Sequence, residues 1–251
     1  MAHLTILGSA FAVPNAEQEN THMALVVDQS AVLIDCSGTP LVRLEKAGIP
    51  LDWIEHIILT HFHPDHASGL PTLLMGMWLK GRKKPLTIHG LEVTMQKAAA
   101  LMDLFDWKQW PGFFEVHFHG VPELPQQALL TTPQVAILSS PVRHLIPTIG
   151  LRMTLAGSGT VAAYSCDTEP CQAVLELSAG ADLLIHEAAG GGKGHSSPAQ
   201  AGEIARNAEV GRLVLIHYGP HETTEALVAQ AAAAFPGPVI AARDLLEIPL
   251  D

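Results

Sequence analysis

Four residues within six positions carry the strongest chemistry in the chain: His61, His63, Asp65 and His66, in the stretch HIILTHFHPDHASGL. In an extended segment residues i and i+2 point the same way, so His61 and His63 can grip one ion. Pro64 fixes a turn that can carry Asp65 and His66 to a second ion beside the first. Imidazole and carboxylate together suit Zn²⁺, with Mn²⁺ or Fe²⁺ feasible in the same site. Two such cations would lower the pKa of a bridging water to about neutrality and clamp a substrate oxygen as charge develops. That is the chemistry of ester hydrolysis by a hydroxide nucleophile.

The elements that must position these residues are short and numerous. Strands are expected at Leu4–Leu7, Ala24–Val27, Ala31–Ile34, His56–Thr60, Leu86–His89 and Phe114–His119, then at Val135–Ser139, Leu151–Leu155, Thr160–Tyr164, Leu183–His186, Leu213–His217 and Val239–Ala241. Helical periodicity fits Pro40–Ala47, Leu70–Leu79, Leu91–Phe105, Pro170–Ser178, Pro198–Asn207 and Thr223–Phe235, with Pro or Gly at nearly every join. The first half opens with strand-rich hairpins and the second repeats a strand–helix alternation more regularly. This α/β pattern suits a four-layer αββα sandwich, and it also fits a doubly wound single sheet.

Composition narrows the classes. The chain has 251 residues, 48% of them apolar, enough for a sizeable core in one domain spanning 1–251. Charged residues make up 16%, below the roughly 25% of an average globular chain, and disorder or coiled coil falls away. Lys and Arg number 14 against 25 Asp and Glu, a formal net charge of −11. That balance argues against a long nucleic acid as partner. Apolar runs stop short of a membrane span, the start shows no signal peptide, and three scattered cysteines make a disulfide framework unlikely. A cytoplasmic protein is expected.

From these motifs the sequence is similar to the metallo-β-lactamase superfamily, whose hydrolases share an αββα fold and the HxHxDH signature. The likeness is strongest to the ribonuclease Z-like branch. It runs in order from LGSAFAVP through THFHPDHASGLPTLL, PLTIHG, YSCDTEP, LLIHEAA and GHSS to LVLIHYGP. The resemblance implies two divalent metal ions, Zn²⁺ foremost. His61, His63 and His144 would hold one, Asp65, His66 and His217 the other, and Asp167 would bridge them. His144, Asp167 and His217 each fall at or just past the end of an expected strand, where ligands from several strands can converge. Asp65 would double as proton acceptor. His195 resembles the histidine that contacts the phosphate or protonates the leaving oxygen, and Glu187 the carboxylate that orients it. Ser196 or Ser197 beside it can equally be a helix N-cap. A homodimer is implied as well.

The likeness has departures. The long arm that grips tRNA in this branch would lie between His144 and Asp167, where this chain has only 22 residues, enough for two strands and a turn. Cys166 replaces a glycine, and the loop PNAEQENTH is acidic. The expectation is therefore a dinuclear hydrolase acting on a small or cyclic phosphodiester, an anionic small-molecule ester. Sulfatase, lactonase, thioesterase, the tRNA 3′-processing endoribonuclease and an iron-dependent oxidoreductase are the alternatives. A partner-binding protein with a silent metal site is disfavoured by the full ligand set. WLKGRKKP (Trp78–Pro85) reads as a solvated turn or an anion-steering patch. Phe105–Phe114 can line the site, fill the core or face a dimer partner. His117 and His119 form a second HxH pair with no acidic residue following, as an ordinary strand would. Cys166 and Cys171 carry no assigned role.

Overall fold

The computed structural model describes residues 1–220 and 223–250. Two seven-stranded sheets share one plan, an antiparallel meander continued by parallel strands. In the first, β1 (Ala2–Gly8), β2 (His22–Val27) and β3 (Ser30–Ile34) pair antiparallel. β4 (Ile54–Ile58), β5 (Leu86–Leu91) and β6 (Val116–Val121) then add in parallel. In the second, β7 (Gln127–Thr131), β8 (Val135–Pro141), β9 (Ile149–Leu155) and β10 (Val161–Tyr164) form the meander. β11 (Leu183–Glu187), β12 (Leu213–Ile216) and β13 (Val239–Ala241) extend it in parallel. The last strand, β14 (Leu246–Pro249), returns to the first sheet and pairs antiparallel with β1.

Side-chain alternation sorts the apolar residues into layers. On β3, Val32 and Ile34 face the other sheet while Ala31 and Leu33 face helices. On β11, Leu183 and Ile185 point inward and Leu184 outward. Strands covered on both faces read as nearly unbroken aliphatic runs, as these do. The outer face of the first sheet is covered by α1 (Pro40–Lys46), α3 (Leu70–Leu79) and α4 (Glu92–Asp103). That of the second is covered by α5 (Gln172–Ser178), α6 (Pro198–Asn207) and α7 (Thr224–Ala232). The result is the four-layer αββα sandwich, not a single doubly wound sheet. Each fully buried leucine or isoleucine contributes roughly 1.5–3 kcal/mol.

Three elements differ from the sequence expectation. β7 carries a bulge between Ala128 and Leu130 that buries Leu129 and Leu130 in succession, so the period-two signal is broken. β14 is a four-residue edge strand ending in Pro249, a composition that reads as a tail. The turn after His63 is one turn of helix, α2 (Pro64–Ala67). As expected, the 22 residues between His144 and Asp167 are taken up by β9 and β10. Strand ends from both sheets meet at one edge, where the Ile149 N–H donates to the Thr60 carbonyl at 3.1 Å and ties the layers together.

Candidate metal centre

Beyond β4 the chain stays extended through His61 and His63, then turns into α2. The Pro64 ring at the first helical position favours that turn. His61 Nε2 lies 3.0 Å from His63 Nδ1, which lies 3.2 Å from His144 Nε2. The donor atoms of these three residues all fall within 4.8 Å of one another. A second group joins Asp65, His66, Asp167 and His217 on the same criterion. Asp167 Oδ2 sits between the groups, 3.2 Å from His217 Nε2, 3.5 Å from His66 Nε2, 3.8 Å from His144 Nε2 and 4.0 Å from His61 Nε2. All seven side chains expected from the sequence are thus brought together.

The outer ring nitrogens explain how the inner ones are aimed. His66 Nδ1 donates to Asp35 Oδ2 at 2.8 Å, and His144 Nδ1 to the Gly194 carbonyl at 2.7 Å. His217 Nδ1 meets Thr21 Oγ1 at 3.1 Å, and that hydroxyl donates onward to the Ala10 carbonyl at 2.8 Å. His66, His144 and His217 therefore each spend Nδ1 on an outer partner and turn Nε2 inward, whereas His63 faces the cluster through Nδ1. Inward ring nitrogens facing one carboxylate oxygen need protons or cations between them. His66 Nε2 and Asp167 Oδ1 are buried without a hydrogen-bond partner. This donor set fits divalent metal, with two clusters sharing a carboxylate.

Electrostatics point the same way. Burial holds His61 well below the usual imidazole range, and His144 is lowered chiefly by burial too, so both are neutral donors. Burial also pushes His66 down, but Asp167 and Asp35 outweigh it and leave it well above that range. Burial opposes the charge on Asp167, yet His217 and His66 hold its carboxyl well below the carboxylate range.

His195 stands at the mouth of these clusters, its ring 5.0 Å from that of His144 and stacked 5.8 Å from that of His217. Its Nδ1 is 3.0 Å from Glu187 Oε1, and Glu187 is wholly buried at the end of β11. The same carboxylate accepts from the backbone N–H groups of Thr168, Ser196 and Ala189, so it is fixed on every side. Burial lifts Glu187, and its hydrogen bond lifts His195. Ser197 caps α6 in a reciprocal capping box with Gln200, whereas Ser196 Oγ donates to the Thr168 carbonyl. His186 turns away, its Nδ1 bonded to the Glu187 carbonyl.

Several residues at the centre carry no local sequence signal. Asp35 follows β3 and joins three partners: the Thr60 N–H, the Thr60 hydroxyl and His66. Thr21 and Gly194 act through single contacts to His217 and His144. Asp35, Cys166 and His217 all adopt left-handed backbone angles, φ +61°, +53° and +55°, and each ends a strand with a sharp turn into the centre. Such angles in non-glycine residues cost of order 1–3 kcal/mol each. Cys166 thus keeps the backbone shape that the glycine it replaces would take readily, and its buried thiol lies 3.5 Å from His61 Nδ1.

Other motifs lie elsewhere. Trp107 and Phe114 are buried and Trp110 and Phe113 pack beside them, with Trp78 stacked 5.2 Å from Trp110, all on the outer core of the first sheet. Apart from Phe105, which is exposed, the aromatics of this segment belong to that core and not to the metal centre. In the basic run Arg82 is buried and donates to the carbonyls of Leu51, Lys84 and Pro85, which makes that turn structural. The three cysteines are free. No helix among the described residues is long and apolar enough to cross a membrane.

The Beta-lactamase superfamily domain matches residues 30–218. Ribonuclease Z of Mycobacterium sp. (strain KMS) is 30% identical over 98% of this chain and 95% of its own. Ribonuclease Z of Methanothermobacter thermautotrophicus is 27% identical over 94% of this chain and 93% of its own. Human tRNase Z, short form, superposes with a TM-score of 0.81 at 23% identity, covering 99% of both chains. The chain belongs to the beta-lactamase superfamily, in its ribonuclease Z-like branch, and is a metal-dependent hydrolase.

This corrects the expected partner. A small-molecule substrate and an unlikely nucleic acid do not agree with relatives that are ribonucleases and match nearly end to end. The inference failed because net charge sums the whole surface, whereas substrate meets only the local field at the site. The alignment with the Mycobacterium enzyme spans 274 positions, more than the 251 residues here, so that relative carries inserted segments this chain lacks.

Proposed function

We propose that this protein is a dinuclear phosphodiesterase that cuts RNA, of the kind that trims the 3′ end of tRNA precursors. His61, His63 and His144 would hold one divalent cation and Asp65, His66 and His217 a second, with Asp167 between the two groups. Zn²⁺ fits the imidazole-rich donor set best, and Mn²⁺ or Fe²⁺ can replace it. Two cations there would supply a water of lowered pKa and stabilise charge on the phosphoryl oxygens.

The remaining work falls to the chain itself. Asp65, partly exposed beside His66, accepts the proton of the attacking water. His195, aimed by Glu187, donates a proton to the leaving oxygen, and a positioned acid of this kind contributes about 10²–10⁴-fold. Glu187 holds one proton on His195 Nδ1 and favours the doubly protonated ring, so the proton given to the leaving oxygen comes from Nε2; the ring is left neutral and regains that proton from solvent. Two hollows border the centre through His195 and His144. One of about 430 Å³ is lined by Lys193, His195 and Gln200, and one of about 570 Å³ by Arg143, His144 and Gln172. They leave room for substrate beside a bound phosphate, with Lys193 and Arg143 as local cations and Glu169, which pairs with Arg143, among the lining residues.

The observation that carries this reading is the set of inward-facing ring nitrogens around Asp167 with a braced His195 beside them. Zinc-loaded protein incubated with a tRNA precursor bearing a 3′ trailer tests it, with the ends of the products mapped. A single cut near the end of the acceptor stem, absent in His63→Ala, supports the proposal. An intact precursor alongside hydrolysis of bis(p-nitrophenyl) phosphate would leave a metal phosphodiesterase and overturn the RNA substrate.

A further inference from the structure

Three histidines outside the metal centre form a ladder across adjacent parallel strands of the first sheet. His56 of β4, His89 of β5 and His119 of β6 lie on the face that carries Ile58, Leu91 and Val121 toward the second sheet. His56 Nδ1 is 3.1 Å from His89 Nε2, and His89 Nδ1 is 3.3 Å from His119 Nδ1. Ring centroids are 5.2 and 5.3 Å apart. The middle ring, His89, is buried, with His56 half-buried on one side and His119 exposed on the other.

We propose that this ladder is a second, exchangeable binding site for a borderline divalent cation such as Zn²⁺ or Ni²⁺, with His56 Nδ1 and His89 Nε2 as its protein ligands. Zn–N bonds of about 2.0–2.1 Å in tetrahedral geometry place two ligand nitrogens about 3.3 Å apart. The 3.1 Å spacing matches that, and it matches the 3.0 and 3.2 Å spacings within the three-histidine cluster of the main centre. The protons are consistent with it. In the tautomer with the His89 proton on Nδ1, that N–H donates to His119 Nδ1 and leaves Nε2 a lone pair, as metal-bound histidines usually arrange. His119 is then a positioning residue that orients His89. Burial, with His56 and His119 adding to it, lowers His89 to about 4, so its ring is neutral at pH 7. Without a cation, His56 Nδ1–H donates to His89 Nε2 and the pair stays satisfied. Two imidazoles leave the other coordination positions to water, which makes the ion readily exchangeable.

Calorimetric titration of zinc-loaded protein with Ni²⁺ tests the site. The expected result is one Ni²⁺ equivalent in the wild type that His56→Ala abolishes and His119→Ala weakens about 10–100-fold. Both variants should hydrolyse bis(p-nitrophenyl) phosphate at the wild-type rate, which separates this site from the main centre. His119 is exposed, so its variant folds and keeps the comparison valid even if His56→Ala is unstable. Equal Ni²⁺ binding in the wild type and both variants, or no Ni²⁺ uptake by zinc-loaded wild type, would overturn the proposal.

Discussion

The Asp35 carboxylate and the His66 ring are both wholly buried, with Oδ2 and Nδ1 2.8 Å apart, 31 residues from one another in sequence. Asp35 fixes the tautomer of His66 and ties it to Thr60, whose N–H and hydroxyl bond the other oxygen at 2.9 Å. Asp35→Asn should therefore lower metal affinity or activity by about 10–100-fold with the fold retained. Asp35→Ala should in addition destabilise the protein by about 1–3 kcal/mol, because the Thr60 N–H loses its partner. Urea denaturation and zinc titration of both variants check this. An unchanged zinc affinity in Asp35→Asn would remove Asp35 from the account.

Gly194 supplies the carbonyl that His144 bonds, at φ +84°. A Cβ there would stand 3.1 Å from His144 Nδ1 and 3.0 Å from Leu145 Cγ. Gly194→Ala should displace the His144 ring and cut kcat at least about 10-fold, since misplacement near 1 Å costs up to about 10²-fold. Its melting temperature should fall only modestly. Wild-type turnover in this variant would show that His144 does not depend on the glycine loop.

What could be read from sequence follows from how local each signal is. His61, His63, Asp65 and His66 sit within one turn of chain, and their spacing alone proposes a metal site. His144, Asp167 and His217 come from strand ends far apart, and a likeness to known proteins was needed to connect them. Asp35 gave no sign: in LIDCSG it looks like any turn aspartate, and its importance lies in a contact across the first sheet. β7 was hidden by its bulge and β14 by its proline. The expectation about substrate went wrong by a different route, through a global charge that says little about one hollow.

Acid should destabilise the fold through its buried neutral histidines. His22 and His186 are each wholly buried, and burial lowers each from 6.5 to about 4. The unfolded chain binds these protons first, so stability falls as pH drops from about 6.5 to about 4 and levels off below. Between pH 7 and 5 each contributes a loss of about 2 kcal/mol. Urea denaturation at the two pH values should show a smaller loss in His186→Phe than in the wild type. An equal loss in both would mean that His186 is already charged in the folded protein.

The central claim is that two cations act together on a phosphodiester. Metal-free protein titrated with Zn²⁺, with the hydrolysis rate of bis(p-nitrophenyl) phosphate followed at each addition, tests it most directly. The rate should rise until two equivalents are bound per chain and then level off, and it should stay at background in His63→Ala. A plateau at one equivalent, or hydrolysis that survives without metal, would contradict the account.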